Sequence, residues 1–524
     1  MSFSSLAGRI AIVTGASSGI GRSTCVALAG LGVQIVAVGR NEERLADTAA
    51  RVLQAGGVPA LTLPLDVRSE ADMQQMAALT LQRFGRIDIL VNAAGVLRAA
   101  GATLCTVAQM STPEWDEVLD INLRGTFLCN RAVLPAMLAA RSGDILNLSS
   151  KSGRVGVAFD APYCASKFGV EGFTEAVADE ARAFGVRVQS LAPGKFATEV
   201  LQQIGLPQPT DIPPPERVAD AICWMLALPD DTRLQAALIE PLDKSAAATW
   251  HGTAPARSRP VSKEQTMSFS TDLKGKVVIV SGGTGGIGLA TAKAAAALGA
   301  AVVVADIDAE RVAAVAAELE QAGAAGAMGV AIDVRLEEDH ARLVQGTVER
   351  FGRIDALIVC AGILRKRGTP PKVLVDTSTD EFDDVVGINL KGVFLANRAV
   401  LPTMIAQRSG SIINLSSVQG LQGRAYDSVY CASKFGVVGF SQAVADEVKT
   451  YGIKVQALMP AAVATPMWQQ NLPAPMPGDA IPPERIADLI VFMLLQPEDT
   501  MLVGPVIVPV GARKRKTKTA TAAE

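Results

Sequence analysis

Apolar residues in this chain fall into short unbroken runs, separated by longer stretches in which they recur every three or four positions. Runs rich in Val, Ile and Leu occupy 9–14, 34–38, 60–63, 88–91, 144–148 and 187–191, with a last short one at 237–242. A run that is apolar throughout predicts a strand buried on both faces. Between the runs, 22–31 and 41–54 carry helical periodicity, and Asn41 stands where an N-cap belongs. Strands alternating with helices in this way predict a doubly wound, Rossmann-like α/β fold: a parallel sheet with helices on both faces and ligands beyond the carboxyl ends of its strands.

The pattern occurs twice. Gly15 and Gly282, Asp66 and Asp333, Asn122 and Asn389, Tyr163 and Tyr430, and Pro193 and Pro460 are each 267 positions apart. That period is too long for a solenoid and predicts two tandem domains with separate cores. We place them at 1–244 and 272–511. The stretch 245–271, rich in Ala, Ser, Thr and basic residues, is expected to be an exposed linker. Inside it Met267-Ser268-Phe269-Ser270 repeats Met1-Ser2-Phe3-Ser4, as if a second start had been kept when two reading frames fused. The end, 512–524, contains Arg513-Lys514-Arg515-Lys516 and reads as a solvated basic tail.

Composition narrows the chemistry. Hydrophobic residues make up 49% of the 524, enough to fill large cores, yet no run reaches the roughly 18 to 20 apolar residues of a membrane span. The longest candidate, 294–305, is broken by Gly299 and reads as a helix end turning into a strand. No signal peptide is evident, and seven cysteines without a C-x-x-C are expected to be reduced thiols of a cytoplasmic protein. The only two histidines, His251 and His340, lack a second ligand at metal spacing, so neither a metal site nor a Ser/His/Asp triad is expected. A net charge of −3 argues against nucleic acid as the main partner.

Two kinds of motif carry chemistry. After the first strand of each copy comes a glycine loop, Gly15-Ala16-Ser17-Ser18-Gly19-Ile20-Gly21 and Gly282-Gly283-Thr284-Gly285-Gly286-Ile287-Gly288. Such a loop lets a pyrophosphate approach the backbone at a helix N-terminus, where free N–H groups point outward. The second motif is Ser150, Tyr163 and Lys167, returning as Ser417, Tyr430 and Lys434 with the same gaps of thirteen and four. Residues four apart share a helix face, so the lysine ammonium can approach the phenol. At ~4 Å in a partly buried site its charge is worth on the order of 4 kcal/mol, enough to lower a phenol pKa by about two to three units. The serine hydroxyl could then hold a substrate oxygen while its proton moves.

Taken together, the T-G-x-x-x-G-x-G loop, Leu65-Asp66-Val67, Asn92-Ala93-Ala94-Gly95, Asn122, Ser150, Tyr163-x-x-x-Lys167 and Pro193-Gly194 with Thr198 resemble the short-chain dehydrogenase/reductase family, across nearly all of both halves. The resemblance implies nicotinamide-dependent hydride transfer with an Asn-Ser-Tyr-Lys tetrad. Asn122 would hold a water linking Lys167 to a proton relay, Ser150 would polarise the substrate oxygen and Tyr163 would exchange its proton. Lys167 would lower the tyrosine pKa and bind the nicotinamide ribose. Asp66 and Val67 would contact the adenine, Asn92 would belong to the cofactor side, and Thr198 would contact the nicotinamide or phosphates. Asn389, Ser417, Tyr430, Lys434, Asp333, Val334 and Thr465 match these in the second half.

The end of the second strand separates the copies. The first reads Val38-Gly39-Arg40 and the second Ala305-Asp306-Ile307. A guanidinium there pairs with a ribose 2′-phosphate, whereas a carboxylate accepts from the ribose hydroxyls and repels that phosphate. We therefore expect NADP(H) in the first domain and NAD(H) in the second. Val359-Cys360 replaces Asn92-Ala93, removing a side chain that commonly braces the sheet in this family, and Ala461 replaces Gly194. Both changes bear on how tightly the second half holds its cofactor, not on the reaction class.

Specificity is expected from the loops after Pro193 and Pro460. Val200, Leu201, Ile204 and Leu206 in the first, and the bulkier Met467, Trp468 and Leu472 in a segment one residue longer, could wall a substrate or simply pack against the domain. The close of the first copy, from Glu216 to Pro241, resembles the branch that oxidises small 3-hydroxy acids. The leading expectation is a bifunctional enzyme interconverting secondary alcohols and ketones, one half oxidising and the other reducing, so that an alcohol is inverted. The alternatives are a 3-ketoacyl-thioester reductase, or one catalytic half with the other as oligomerisation scaffold. Family members pair through two long helices, here including 122–139 and 163–184. One chain could therefore imitate a dimer, and a homodimer a tetramer.

Overall fold

A computed structural model describes residues 6–198, 212–229, 232–234, 237–239, 272–366, 368–471, 476–497 and 500–508. The expected linker 245–271, the tail 512–524, and Val200, Leu201, Ile204, Leu206 and Leu472 lie outside the described residues.

Each half is built on a seven-stranded sheet. The first comprises β1 (Ile10–Thr14), β2 (Gln34–Gly39), β3 (Leu61–Pro64), β4 (Ile89–Asn92), β5 (Gly143–Leu148), β6 (Val186–Pro193) and β7 (Ala237–Ile239). The second comprises β8 (Val277–Ser281), β9 (Ala301–Asp306), β10 (Gly326–Ala331), β11 (Ala356–Val359), β12 (Gly410–Leu415), β13 (Ile453–Pro460) and β14 (Val506–Ile507). The orders are β3-β2-β1-β4-β5-β6-β7 and β10-β9-β8-β11-β12-β13-β14, and every recorded pairing is parallel. Burial on both faces explains why the strands are apolar throughout, β1 and β8 being buried at all five positions. The register brings Thr14 beside Val38 and Asn92, and Ser281 beside Ala305 and Val359, so the carboxyl ends form one rim at the β1/β4 and β8/β11 reversal.

The helix Glu42–Gln54 begins as expected, with the Asn41 side chain accepting from the Arg44 N–H at 2.8 Å. At Gly299, φ +86, the helix Gly286–Ala297 turns into β9. One expectation differs in detail. Asn122 does not lie in a continuous α-helix: the π-turn Asp120–Arg124 separates Thr112–Leu119 from Gly125–Ala140, and Gly387–Lys391 repeats this around Asn389. A wide turn leaves an inward side chain out of step with the i−4 ladder, a device common at functional sites.

The halves pack on one another through the expected long helices. The tyrosine helix of the first half, Ala161–Ala181, lies along that of the second, Ser428–Val448. Glycine permits the approach, because a Cβ on Gly172 would fall 2.3 Å from the Phe435 ring and one on Gly439 2.4 Å from the Phe168 ring. Trp115 stacks on Phe394 and Phe127 on Phe382, each pair with centroids 4.4 Å apart. A single apolar cluster runs through both halves, and the far face of each sheet keeps a cluster of its own. Mirrored ion pairs close the border, Arg124 to Asp383 at 2.8 Å and Lys391 to Asp116 at 2.7 Å.

Candidate active sites

Three neighbouring structures meet at the rim of each sheet: the glycine loop, the turn after the fourth strand, and the start of the tyrosine helix. In the first half Gly15 has φ +64, and a Cβ there would fall 2.7 Å from the Ala94 N. A Cβ on Gly21 would strike the Gly15 carbonyl oxygen at 2.3 Å; the same clash at Gly288 with Gly282 would be at 2.0 Å. The helices Gly19–Gly30 and Gly286–Ala297 follow at once, and no side chain caps either N-terminus. Their first N–H groups therefore suit a pyrophosphate, which fits a dinucleotide. Ser17 and Ser18, and likewise Thr284, lie in the loops just before these helices, and Ile20 and Ile287 in their first turns. Thr465 packs its methyl group where a Cβ on Gly286 would fall, at 2.9 Å. Thr198 is half-buried just beyond β6.

The two halves differ at the ends of β2 and β9. Arg40 is exposed beside Gly39, which packs against Ser17. Arg22, not singled out from the sequence, reaches the Ser17 carbonyl oxygen from the first turn of its helix. Asp306 is instead tied into its own loop, accepting from the Thr284 hydroxyl at 2.6 Å and the Thr284 N–H at 3.2 Å, and Ile307 donates its N–H to the same carboxylate. Asp66 and Asp333 turn their carboxylates to Arg68 and Arg335, each with a contact of 2.6 Å. Val67 and Val334 pack against Gly125 and Gly392.

The tetrad residues converge. Lys167 and Lys434 are buried, and donate to the Leu148 and Leu415 carbonyl oxygens at 2.9 Å. Their ammonium groups lie 5.8 Å and 5.6 Å from the ring centroids of Tyr163 and Tyr430. The hydroxyls of Ser150 and Ser417 face the two phenols. Gly95 and Gly362 are needed beside them: a Cβ on Gly95 would press on Asn122 Oδ1 at 3.3 Å and Lys167 Nζ at 3.4 Å.

One expectation changes. Burial pushes the Tyr163 phenol up to about 12, against the pull of Ser150, and raises Tyr430 likewise. The lysines do not reverse this, because their ammonium groups are turned to the Leu148 and Leu415 carbonyl oxygens; burial lowers Lys167 and Lys434 themselves to about 8. The Asn122 amide bonds the neighbouring backbone. Its Oδ1 accepts from the Val96 N–H at 2.8 Å, and its Nδ2 donates to the Val96 carbonyl oxygen at 2.8 Å and the Ser166 hydroxyl at 3.0 Å. These bonds fasten the turn after β4, and Asn389 makes the same ones at Ile363 and Ser433.

Asn92, at the end of β4, turns its side chain inward as a brace, donating to Asn147 Oδ1 at 2.9 Å. Val359 forgoes this brace, and the buried Ser281 hydroxyl has no hydrogen-bond partner among the described residues. Ala461 changes less, since its N–H bonds the Ile507 carbonyl oxygen at 2.9 Å, as Gly194 bonds Ile239 at 2.8 Å.

The substrate side holds groups the sequence reading missed. Arg98 pairs with Asp160 at 2.6 Å, and Arg365 with Asp427, just ahead of the two tyrosines. In the second half the turn Pro466–Asn471 folds onto this pair, with Asn471 Oδ1 2.8 Å from Arg365 and Gln470 Oε1 2.9 Å from the Leu364 N–H. Trp468 anchors the turn through its indole N–H to the Val463 carbonyl oxygen at 2.8 Å. The common offset of Arg98 and Arg365 was the available signal. A cleft lined by Leu364, Arg365, Lys372, Tyr426 and Tyr430 opens beside it.

Comparison with known proteins agrees with this geometry. The chain is 26% identical over 538 residues to a peroxisomal hydratase-dehydrogenase-epimerase of Neurospora crassa, covering 93% of this chain and 57% of that protein. It thus spans little more than half of that relative's length. A 3-oxoacyl-[acyl-carrier-protein] reductase of Synechocystis is 38% identical over 199 residues, covering 38% of this chain and 78% of its own. Among solved structures, the C-domain of a bacterial malonyl-CoA reductase with NADP superposes with a TM-score of 0.69 at 19% identity, over 95% of this chain and 97% of that one, a likeness of fold. The short chain dehydrogenase family matches twice, at residues 9–208 and 276–475, and the chain belongs to that family as a tandem pair of its domains.

Proposed function

We propose that the chain is a bifunctional nicotinamide-dependent oxidoreductase interconverting secondary alcohols and ketones, with NADP(H) in the first half and NAD(H) in the second. The carrying observation is two complete Ser-Tyr-Lys constellations whose ribose ends differ in charge, Arg40 and Arg22 against Asp306. A bound nicotinamide supplies or accepts the hydride. The chain's own groups do the rest: Ser150 and Ser417 hold the substrate oxygen, and Tyr163 and Tyr430 give or take its proton. Lys167 and Lys434 favour the phenolate once charged, and Asn122 and Asn389 fix the adjoining backbone. Opposite cofactor preferences would let one half oxidise what the other reduces, inverting an alcohol through a shared ketone.

A second reading, reduction of 3-oxoacyl thioesters, is favoured by the named activity of the Synechocystis relative. The deciding experiment is a panel of small ketones, secondary alcohols and 3-oxoacyl thioesters, run with each cofactor on Tyr163→Phe and Tyr430→Phe. NADPH-dependent turnover lost only with Tyr163→Phe, and NAD-dependent turnover lost only with Tyr430→Phe, would bear out the assignment. Turnover of thioesters alone would favour the second reading. Unchanged activity in Tyr430→Phe would reduce that half to a scaffold.

Seven unpaired thiols support a reducing compartment, and we keep the cytoplasm as our reading, although the Neurospora relative is named peroxisomal. No helix among the described residues is long and apolar enough to cross a membrane. We read the assembly as a homodimer carrying four domains. The short outermost strands β7 and β14, with Leu238 and Val506 exposed, support further association, and a solution mass of one chain would reject it.

A further inference from the structure

The segment leading into each catalytic tyrosine is held by the opposite half. Tyr426, four residues before Tyr430, donates its N–H to Glu180 Oε1 at 2.9 Å, and Glu180 Oε2 accepts from the Leu374 N–H at 2.8 Å. Nearby, Glu175 accepts from the Gly423 N–H at 2.8 Å. The reverse contacts stand 267 positions away: Glu447 accepts from the Val107 N–H at 2.6 Å, and Gln442 from the Gly156 N–H at 3.0 Å. The other Glu447 oxygen faces the Phe159 N–H without a full hydrogen bond.

The held backbone is unusual. Phe159 and Tyr426 have φ of +66 and +67, a region unfavourable for a bulky residue that persists only when its surroundings impose it. Gly156 and Gly423 lie so close to the opposite tyrosine helix that a Cβ would fall 2.4 Å from the Cβ of Gln442 or Glu175. Directly after the held residues come Asp160 and Asp427, which precede the tyrosine helices and pair with Arg98 and Arg365 on the substrate side.

We infer that Glu180 and Glu447 are positioning residues for the site of the opposite half: Glu180 sets the approach to Tyr430, and Glu447 the approach to Tyr163. This rests on the reading of two working sites. Tyr163→Phe leaves only the second site to turn over, and Tyr430→Phe only the first. In the first background Glu180→Ala is expected to lower carbonyl kcat/KM about tenfold, as loss of two hydrogen bonds to backbone N–H groups implies, and more than Glu447→Ala does. In the second background the order reverses. The fall is expected with the nucleotide dissociation constant kept, because neither carboxylate touches a glycine loop. Glu180→Gln, of equal volume and keeping one acceptor oxygen, guards against misfolding and is expected to fall between Ala and the unsubstituted enzyme. Independently of turnover, amide exchange should quicken at Tyr426 and Leu374 in Glu180→Ala, and at Val107 in Glu447→Ala. Effects confined to the substituted half, equal effects on both, or unchanged exchange at these amides would each overturn the inference. If no substrate turned over at either site, the two-site reading would fall, while the exchange measurement would still decide the positioning role.

Discussion

At the scale of single residues, the site carries its chemistry in groups whose burial works against their charge. Lys167 and Lys434 are pushed down to about 8 from an ordinary value near 10.5. A step that needs the ammonium should therefore weaken as pH rises through about 8, and a kcat/KM profile of each tyrosine variant should show a falling limb there. The sign for stability is opposite. A lysine with a lowered folded value disfavours the fold most below about 8, and ceases to do so as pH rises through the unfolded value. Arg40 offers the most direct cofactor test: Arg40→Asp, assayed in Tyr430→Phe, should shift the NADPH to NADH ratio of kcat/KM by about tenfold or more toward NADH, as loss of a charge-assisted phosphate contact implies. An unchanged ratio would hand the role to Arg22. Serine, tyrosine, lysine and the glycines were legible at this scale because their chemistry dictates spacing within a strand-turn-helix. Arg22 and the Arg365–Asp427 pair were not, since each acts through a contact that only the folded loops create.

The elements were largely legible, because strands buried on both faces must be apolar throughout and the helices between them are amphipathic. What escaped was the π-turn at Asn122, where one extra residue in a turn leaves no mark in hydrophobic periodicity. The tyrosine helices also conceal their second duty. Ala161–Ala181 is buried on nearly every side, having a sheet on one face and another helix on the other. Gly439→Ala should therefore destabilise the chain by about 1–3 kcal/mol, because its Cβ would fall 2.4 Å from the Phe168 ring. Gly478→Ala, with nothing within 4 Å, is the control. Urea unfolding midpoints would decide, and equal midpoints would mean that the helices separate more easily than their packing implies.

At the scale of the molecule, the halves are joined by a common apolar cluster and by carboxylates that reach across the border. Burial raises Glu180 and Glu447 to about 7, Glu180 with help from Asp427 and Asp179. Both folded values lie above the unfolded 4.5, so this contribution is fully present below about 4.5 and is lost as pH rises through 7, about 3 kcal/mol for each group. The melting temperature should accordingly fall less between pH 5 and pH 8 in the Glu180→Gln/Glu447→Gln double variant than in the unsubstituted chain. A steeper fall in the variant would reverse the sign argued here. Separately produced halves, 1–244 and 272–511, should expose Phe127, Phe173, Phe394 and Phe440 and self-associate, which light scattering would detect. The duplication was plain from the constant offset. The partnership between the copies was not, because a carboxylate meeting a backbone N–H of the opposite half has no motif.

The mirrored contacts between the halves have one more consequence. Where two identical subunits meet about a twofold axis, any change in one is made in both, and a useful asymmetry cannot be inherited. In a single chain each side mutates alone. Glu175 already corresponds to Gln442, Asn92 to Val359, and Arg40 to Asp306. A substitution that would be lethal when doubled can survive here in one copy while the other preserves the old activity. A single chain thereby turns a symmetry constraint into freedom for the two sites to diverge without parting.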